Sequence, residues 1–166
     1  LQHEGLPVVL VGGERTLAEF LRVTRNGSTV TGMARGIHSR PSLLDLERIG
    51  RAVVSDHVAD LTAAAQDTLF ARLRSQQAVT GLLGCWHAAA TRTPELLVVE
   101  RSFAMAARAV ADGRYVEPSD ESEDPDVIDD AVDDLIERVL QSGGYVCIAP
   151  DGTLRDHGRV ALSLAS

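Results

Sequence analysis

Residues 124–150 read D-P-D-V-I-D-D-A-V-D-D-L-I-E-R-V-L-Q-S-G-G-Y-V-C-I-A-P, and this stretch decides the fold class. Asp124 is placed to cap a helix, and Pro125 suits its first position, where a missing N–H costs nothing. Ile128, Val132, Leu135, Ile136, Val139 and Leu140 recur at three- and four-residue spacing and share one helix face. Asp129, Asp130, Asp133, Asp134 and Glu137 fill the other face. Gly143 supplies the left-handed conformation that ends helices, and Gly144 lets the chain turn sharply. Tyr145–Ala149 then reads as a short buried strand. Helix, glycine turn and apolar strand in sequence are the signature of an α/β protein.

The rest of the chain follows the same grammar. Leu6–Val11 is a near-continuous apolar run, expected of a strand buried on both faces. Gly12-Gly13 ends it. Glu14–Arg25 places Leu17, Phe20 and Leu21 on one helix face. Asn26-Gly27 marks a turn, and Ser28–Gly36 reads as a second strand. Strand, helix and strand at this spacing predict a parallel βαβ unit. After the connection Ile37–Pro41, Ser42 is an N-cap. The pattern Leu43, Leu46, Ile49, Val53, His57, Leu61, Ala64 predicts a long helix that continues as far as Gln76. Such a helix either bridges two domains or breaks once, and residues 66–68 are the expected break.

Ala78–Thr91 is expected to be the next helix, stopped by Thr93-Pro94. Glu95–Glu100 (E-L-L-V-V-E) reads as a third buried strand. Ser102–Val116 is Ala-rich and compatible with a helix, yet Asp112-Gly113 followed by Arg-Tyr-Val suggests a hairpin, and the extended reading is preferred over the helical one. Glu117–Asp126 is an acidic loop rich in serine and proline. Asp151-Gly152 makes a tight turn, and Arg159–Ala165 alternates as a final strand. There are no long internal repeats.

Composition limits the function. The chain has 166 residues, 45% of them hydrophobic, and a net charge of −8. Residues 1–65 hold seven Arg against seven acids, and residues 66–166 hold nine Arg against seventeen acids, so the whole excess lies in the second part. All sixteen basic residues are arginine. The acidic second part argues against broad contact with a phosphate backbone, so DNA is not an expected partner. No apolar run has the length of a membrane span, so no membrane partner is expected. Cys85 and Cys147 form no metal or redox spacing and read as buried thiols of a reducing cytoplasm.

Candidate sites weigh against activity. Gly12-Gly13-Glu14 lacks the later glycine and lysine of nucleotide-binding loops, and Glu14 would repel an anion at that helix start. The five histidines make no metal spacing with one another, with Cys or with acids. No nucleophile elbow is present. The aspartate pairs with Glu137 read as a solvated helix face rather than a metal site. Arg35, Arg40, Arg48 and Arg51 cluster around the second strand and the start of the long helix. They are the candidate RNA or ribosome contacts. No catalytic, metal-ligating or cofactor-binding residue is identified, and no cofactor is expected.

Several stretches together resemble one superfamily. L-P-V-V-L-V-G-G-E-R-T-L-A-E-F resembles the late part of the central domain of archaeo-eukaryotic class-1 peptide-chain release factors and Pelota. The region from Ala78 through E-L-L-V-V-E, the acidic helix, S-G-G-Y-V-C-I-A-P-D-G and G-R-V-A-L-S-L resembles the third domain, closest to bacterial members. The resemblance implies a three-layer α/β/α fold akin to kink-turn-binding ribosomal proteins for the third domain, and an RNase-H-like fold for the central one. It implies work at the ribosomal A site, in peptide release, ribosome rescue or hibernation. In eukaryotic relatives the third domain binds a translation GTPase. Gly12-Gly13-Glu14 is not the family's catalytic Gly-Gly-Gln: it follows its strand, whereas the catalytic loop precedes the corresponding strand. That loop and the codon-reading domain would both come before Leu1.

The sequence therefore predicts an α/β protein in two pieces. Residues 1–65 are the end of an RNase-H-like central domain, and residues 66–166 are a third-domain-like α/β/α unit. The expected function is a non-catalytic module binding the ribosome or a translation factor, with Asp129, Asp130, Asp133, Asp134 and Glu137 as its protein-binding face. Two alternatives belong to other classes. One is a small-molecule or nucleotide hydrolase with its site at the strand ends near Gly12, Gly13 and Arg35. The other is a stress-response oligomerisation domain.

Overall fold

The computed structural model describes residues 8–25, 27, 30–36, 40–119 and 127–165. The chain forms two compact units, residues 1–61 and 62–166.

In the first unit, β1 (Val8–Gly12) and β2 (Val30–Arg35) pair in parallel around α1 (Glu14–Val23), the expected βαβ arrangement. Leu17 of α1 is buried. α2 (Leu43–Arg74) begins in this unit with a reciprocal cap. The Asp45 N–H donates to Ser42 Oγ at 3.2 Å, and the Ser42 N–H donates to Asp45 Oδ2 at 3.3 Å. Both groups would otherwise lack helical partners. Gly32 of β2 faces Val53 of α2 so closely that a Cβ at Gly32 would collide with Val53 Cγ1. β1 itself is only half-buried, which corrects the expectation of a strand covered on both faces. Among the described residues its sheet has two strands.

α2 runs for 32 residues without the break expected at residues 66–68. Its last part belongs to the second unit. There the main sheet has the order β3-β9-β4-β8, formed by Ala78–Thr80, Val160–Leu164, Pro94–Glu100 and Tyr145–Ala149. β4 and β8 are parallel, while β9 runs antiparallel to β4 and to β3. Alternation along the strands divides the core in two. Leu97, Val99, Val160 and Leu162 pack with Trp86 of α3 (Leu82–Thr91) and Leu135 of α4 (Ala131–Gln141). Val98 and Ala161 face the other way and pack with Leu69 of α2. Helices thus cover both faces, giving the expected three α/β/α layers.

A smaller antiparallel sheet, β6-β5-β7, lies against α3 and consists of Tyr115–Pro118, Ala107–Val110 and Val127–Ile128. Its β5–β6 hairpin matches the extended reading of Ser102–Val116. The tip is anchored twice: Trp86 Nε1 donates to Gly113 O at 2.9 Å, and Arg138 Nη1 donates to the same oxygen at 3.3 Å. The Arg138 guanidinium lies 4.4 Å from the Trp86 ring, a cation–π contact that ties α4 to α3.

Two expectations for this unit are corrected. Ala78–Thr80 is a strand and not the first turn of a helix, because it pairs with residues 161–163 of β9. The helix starts only after Gly81, whose φ of +73° breaks the pattern. The acidic helix begins at Ala131, capped by Asp130, so Ile128 and Asp129 precede it. Val127 and Ile128 are drawn instead into β7 by pairing with β5. The proposed cap Asp124-Pro125, Asn26 of the first turn signal, residues 37–39 of the connection and most of the acidic loop lie outside the described residues. Gly143, at φ +82°, ends α4 as expected.

Candidate functional site

The predicted arginines come together only in part. Arg48 and Arg51 stand three residues apart on α2 and line one shallow depression with Leu44, Asp45 and Glu47. Each has a local acidic partner: Arg48 to Asp45 at 3.5 Å and Arg51 to Glu47 at 2.9 Å. Arg35, at the end of β2, lies 3.8 Å from Glu14. Arg40 is exposed just before the Ser42 cap. All three pairs are solvent-exposed, so they hold the guanidinium groups loosely and leave them able to exchange partners. The Glu14–Arg35 pair also sits where the hydrolase alternative placed its site, beside Gly13, whose carbonyl accepts from Leu17 N–H at 3.0 Å as the helix begins.

The acidic set divides in two. Asp130 is structural: its Oδ1 accepts from Val132 N–H at 2.9 Å and from Met105 N–H at 3.3 Å. This corrects its expected place on the binding face. Asp129 is exposed in the turn ahead of the helix and is not on the helix face. Asp133, Asp134 and Glu137 do form an exposed helical face, and Glu137 accepts from Gln141 Nε2 at 2.8 Å. The two aspartates in the first turn favour the positive end of the helix dipole. Among the described residues, no group of acids, histidines and cysteines is arranged to hold a metal ion.

A third cluster escaped the sequence reading. Glu100, at the C-terminal end of β4, is a charged residue only 2% exposed. Its Oε1 accepts from Leu154 N–H at 2.7 Å, and its Oε2 accepts from Arg159 Nε at 2.9 Å. Arg159 Nη2 donates onward to Ser102 Oγ at 2.7 Å and to Asp151 Oδ1 at 3.4 Å. The Arg159 side chain holds the Glu100 carboxyl below the usual carboxylate range, and hydrogen bonds from Ser102 do the same for Asp151. Glu100, Asp151, Gly152, Arg155 and Arg159 border an open depression of about 310 Å³. A carboxylate so fully satisfied and so firmly ionised is a poor proton shuttle at neutral pH. Its role is to clasp the 151–159 loop to the end of the central strand. The acid ending E-L-L-V-V-E was the available signal, but its partners lie 54 and 59 residues away.

The two thiols are unpaired. Burial pushes the Cys85 thiol up to about 12, which disfavours the thiolate at neutral pH. Burial also raises Cys147, which is partly exposed. No helix among the described residues is long and apolar enough to cross a membrane.

No protein-family model matches the chain, and no curated protein matches it in sequence. Solved structures do match. One is a chain from the model of ribosome-bound archaeal Pelota and ABCE1, with a TM-score of 0.58 over 95% of this chain and 43% of its own. Another is the C-terminal domain of a peptide chain release factor from Methanosarcina mazei, with a TM-score of 0.52 over 76% of this chain and 96% of that domain. The fold is that of archaeal Pelota and release-factor proteins. Identity is 14% in both cases, so the likeness is one of fold alone. Archaeoglobus fulgidus Pelota also matches, at 22% identity over 95% of this chain and 48% of its own, with a TM-score of 0.46. The chain thus spans somewhat under half of the Pelota length it matches.

Proposed function

We propose that the chain is a non-catalytic module of a release-factor-like protein that binds the ribosome or a translation factor in the cytoplasm. The observation that carries this reading is the fold likeness to a chain of a ribosome-bound Pelota complex along nearly the whole sequence. Two features of the chain agree with it. The first unit carries exposed arginines in loose pairs, suited to exchange an acidic neighbour for a phosphate. The second unit carries an acidic helix face suited to a protein partner such as a translation GTPase. Ribosome rescue and ribosome hibernation are the roles this reading admits. Residues 1–65 are proposed as the end of an RNase-H-like domain, and residues 66–166 as the partner-binding domain.

Co-sedimentation with bacterial ribosomes on a sucrose gradient tests the proposal. The chain is expected to travel with ribosomal subunits in a salt-sensitive way, and Arg35→Ala with Arg40→Ala to reduce the bound fraction. A chain that stays at the top of the gradient at low salt contradicts the ribosome reading. Binding to a purified translation GTPase then becomes the deciding measurement for the factor reading.

A further inference from the structure

We propose that the open edge of β8, with the flank of α4 beside it, takes up an extended apolar–basic segment of a partner protein as an added strand. The inference rests on reading the second unit as a protein-binding module.

Among the described residues β8 is the end strand of its sheet, hydrogen-bonded to β4 on one side. Alternate N–H and C=O groups of such a strand point away from the sheet and can template another strand. Edge strands are ordinarily guarded by charge, proline, a bulge or shortness. The opposite edge, β3, is three residues long. β8 itself contains no charge, proline or bulge: Tyr-Val-Cys-Ile-Ala is five residues in unbroken register with β4, and Pro150 follows it. Tyr145 is 75% and Ile148 43% exposed.

The neighbouring helix defines what the segment must be. Arg138 rests on Trp86 and therefore marks the side of α4 that faces α3. At 100° per residue, Ile136 and Leu140 fall on the opposite flank, beside β8. Leu140, near the C-terminal end of α4, is 54% exposed. Asp133 lies on the same flank with Glu137 next to it, both exposed. The only base of α4, Arg138, is turned away. Alternating apolar side chains would meet Ile148 and Leu140, while basic ones would meet Asp133 and Glu137. A second copy of this chain fits badly, because symmetric pairing would set acidic helix against acidic helix in a protein of charge −8.

The test uses short acetylated peptides alternating valine and lysine, valine and glutamate, or valine and lysine interrupted by proline. Binding to the whole chain is read by fluorescence anisotropy. The uninterrupted valine–lysine peptide is expected to bind about tenfold more tightly than either control. Ile148→Lys and Leu140→Lys should each abolish that preference; Leu140 is an exposed helix position, so its variant guards against misfolding. Equal binding of the glutamate peptide, no binding of the lysine peptide, or indifference to both variants overturns the proposal. Self-association of the free chain through β8, lost in Ile148→Lys, overturns it in favour of a dimer. Ribosome co-sedimentation of the same preparation separates the two readings. Peptide binding without ribosome binding keeps the edge proposal and removes the ribosome one, and the reverse result removes only the edge.

Discussion

β1 and β4 begin from the same kind of sequence and end in different surroundings. Val-Val-Leu-Val of β1 and Leu-Leu-Val-Val of β4 both read as strands buried on two faces. β4 meets that expectation: β9 and β8 flank it, helices cover both faces, and Leu97 and Val98 are completely buried. β1 has β2 beside it among the described residues, and Val8 is 40% exposed. An apolar run states that a strand needs cover; it does not supply the cover. The second unit holds nearly all of the buried core and still leaves Leu140, Tyr145 and Ile148 exposed, whereas among the described residues of the first only Leu17 is a buried hydrophobic, with Phe20, Val23 and Leu44 exposed. Among the described residues the two regions thus differ in how far they are packed, the second well beyond the first.

Core truncation is the strongest way to break the comparison. Leu97→Ala, at a site with no exposed surface, is expected to destabilise the second unit by about 2–5 kcal/mol. Leu17→Ala in α1 should cost less, because the neighbourhood of Leu17 is more open and can relax. Chemical denaturation of each variant checks this, and equal losses would mean that the first unit is as tightly packed as the second.

Next in size is Gly32→Ala. The new Cβ collides with the branched Val53 side chain, so β2 and α2 must separate locally, at about 1–3 kcal/mol. The paired change Gly32→Ala with Val53→Ala should recover part of that loss, which a double-mutant cycle measures.

The Glu100 clasp sharpens the contrast by pH. Arg159 lowers the folded-state value of Glu100 below its unfolded value. Its stabilisation is therefore complete above the unfolded carboxylate value and is lost as pH falls through the folded one. The wild-type melting temperature should drop on acidification below about pH 5, given an ordinary glutamate value near 4.3. Glu100→Gln should start lower at neutral pH and fall less over the same range. Parallel curves for the two proteins would remove Glu100 from the acid response.

Smallest in stability is Arg51→Ala, an exposed position expected to change folding by no more than about 0.5 kcal/mol. If the proposed ribosome contact holds, co-sedimentation should show a reduced bound fraction with a shallower salt dependence, because one phosphate contact fewer releases fewer counterions.

Local signals were legible and distant ones were not. Gly143 announces the end of α4, and Ser42 announces the start of α2, because caps act within a single turn. Ala78–Thr80 misled because three residues carry no period, and their pairing partner lies in β9, far along the chain. The start of α4 misled for a related reason. Two aspartate sites could each cap a helix, and Val127–Ile128 pairing with β5 favours the later one. Asp130 read as a surface acid because its second partner, the Met105 N–H, is 25 residues away. Arg159 gave no warning at all, since nothing near it in sequence shows that it answers Glu100.

Amide hydrogen exchange of the free chain and of its ribosome complex tests the functional account most directly. In the free chain, β4 and β9 should be the slowest segments, and β1, β2 and the first turns of α2 much faster. On ribosome binding, the account predicts new protection around Arg35, Arg48 and Arg51, with little change in β4 and β9. Identical exchange with and without ribosomes at low salt would contradict it.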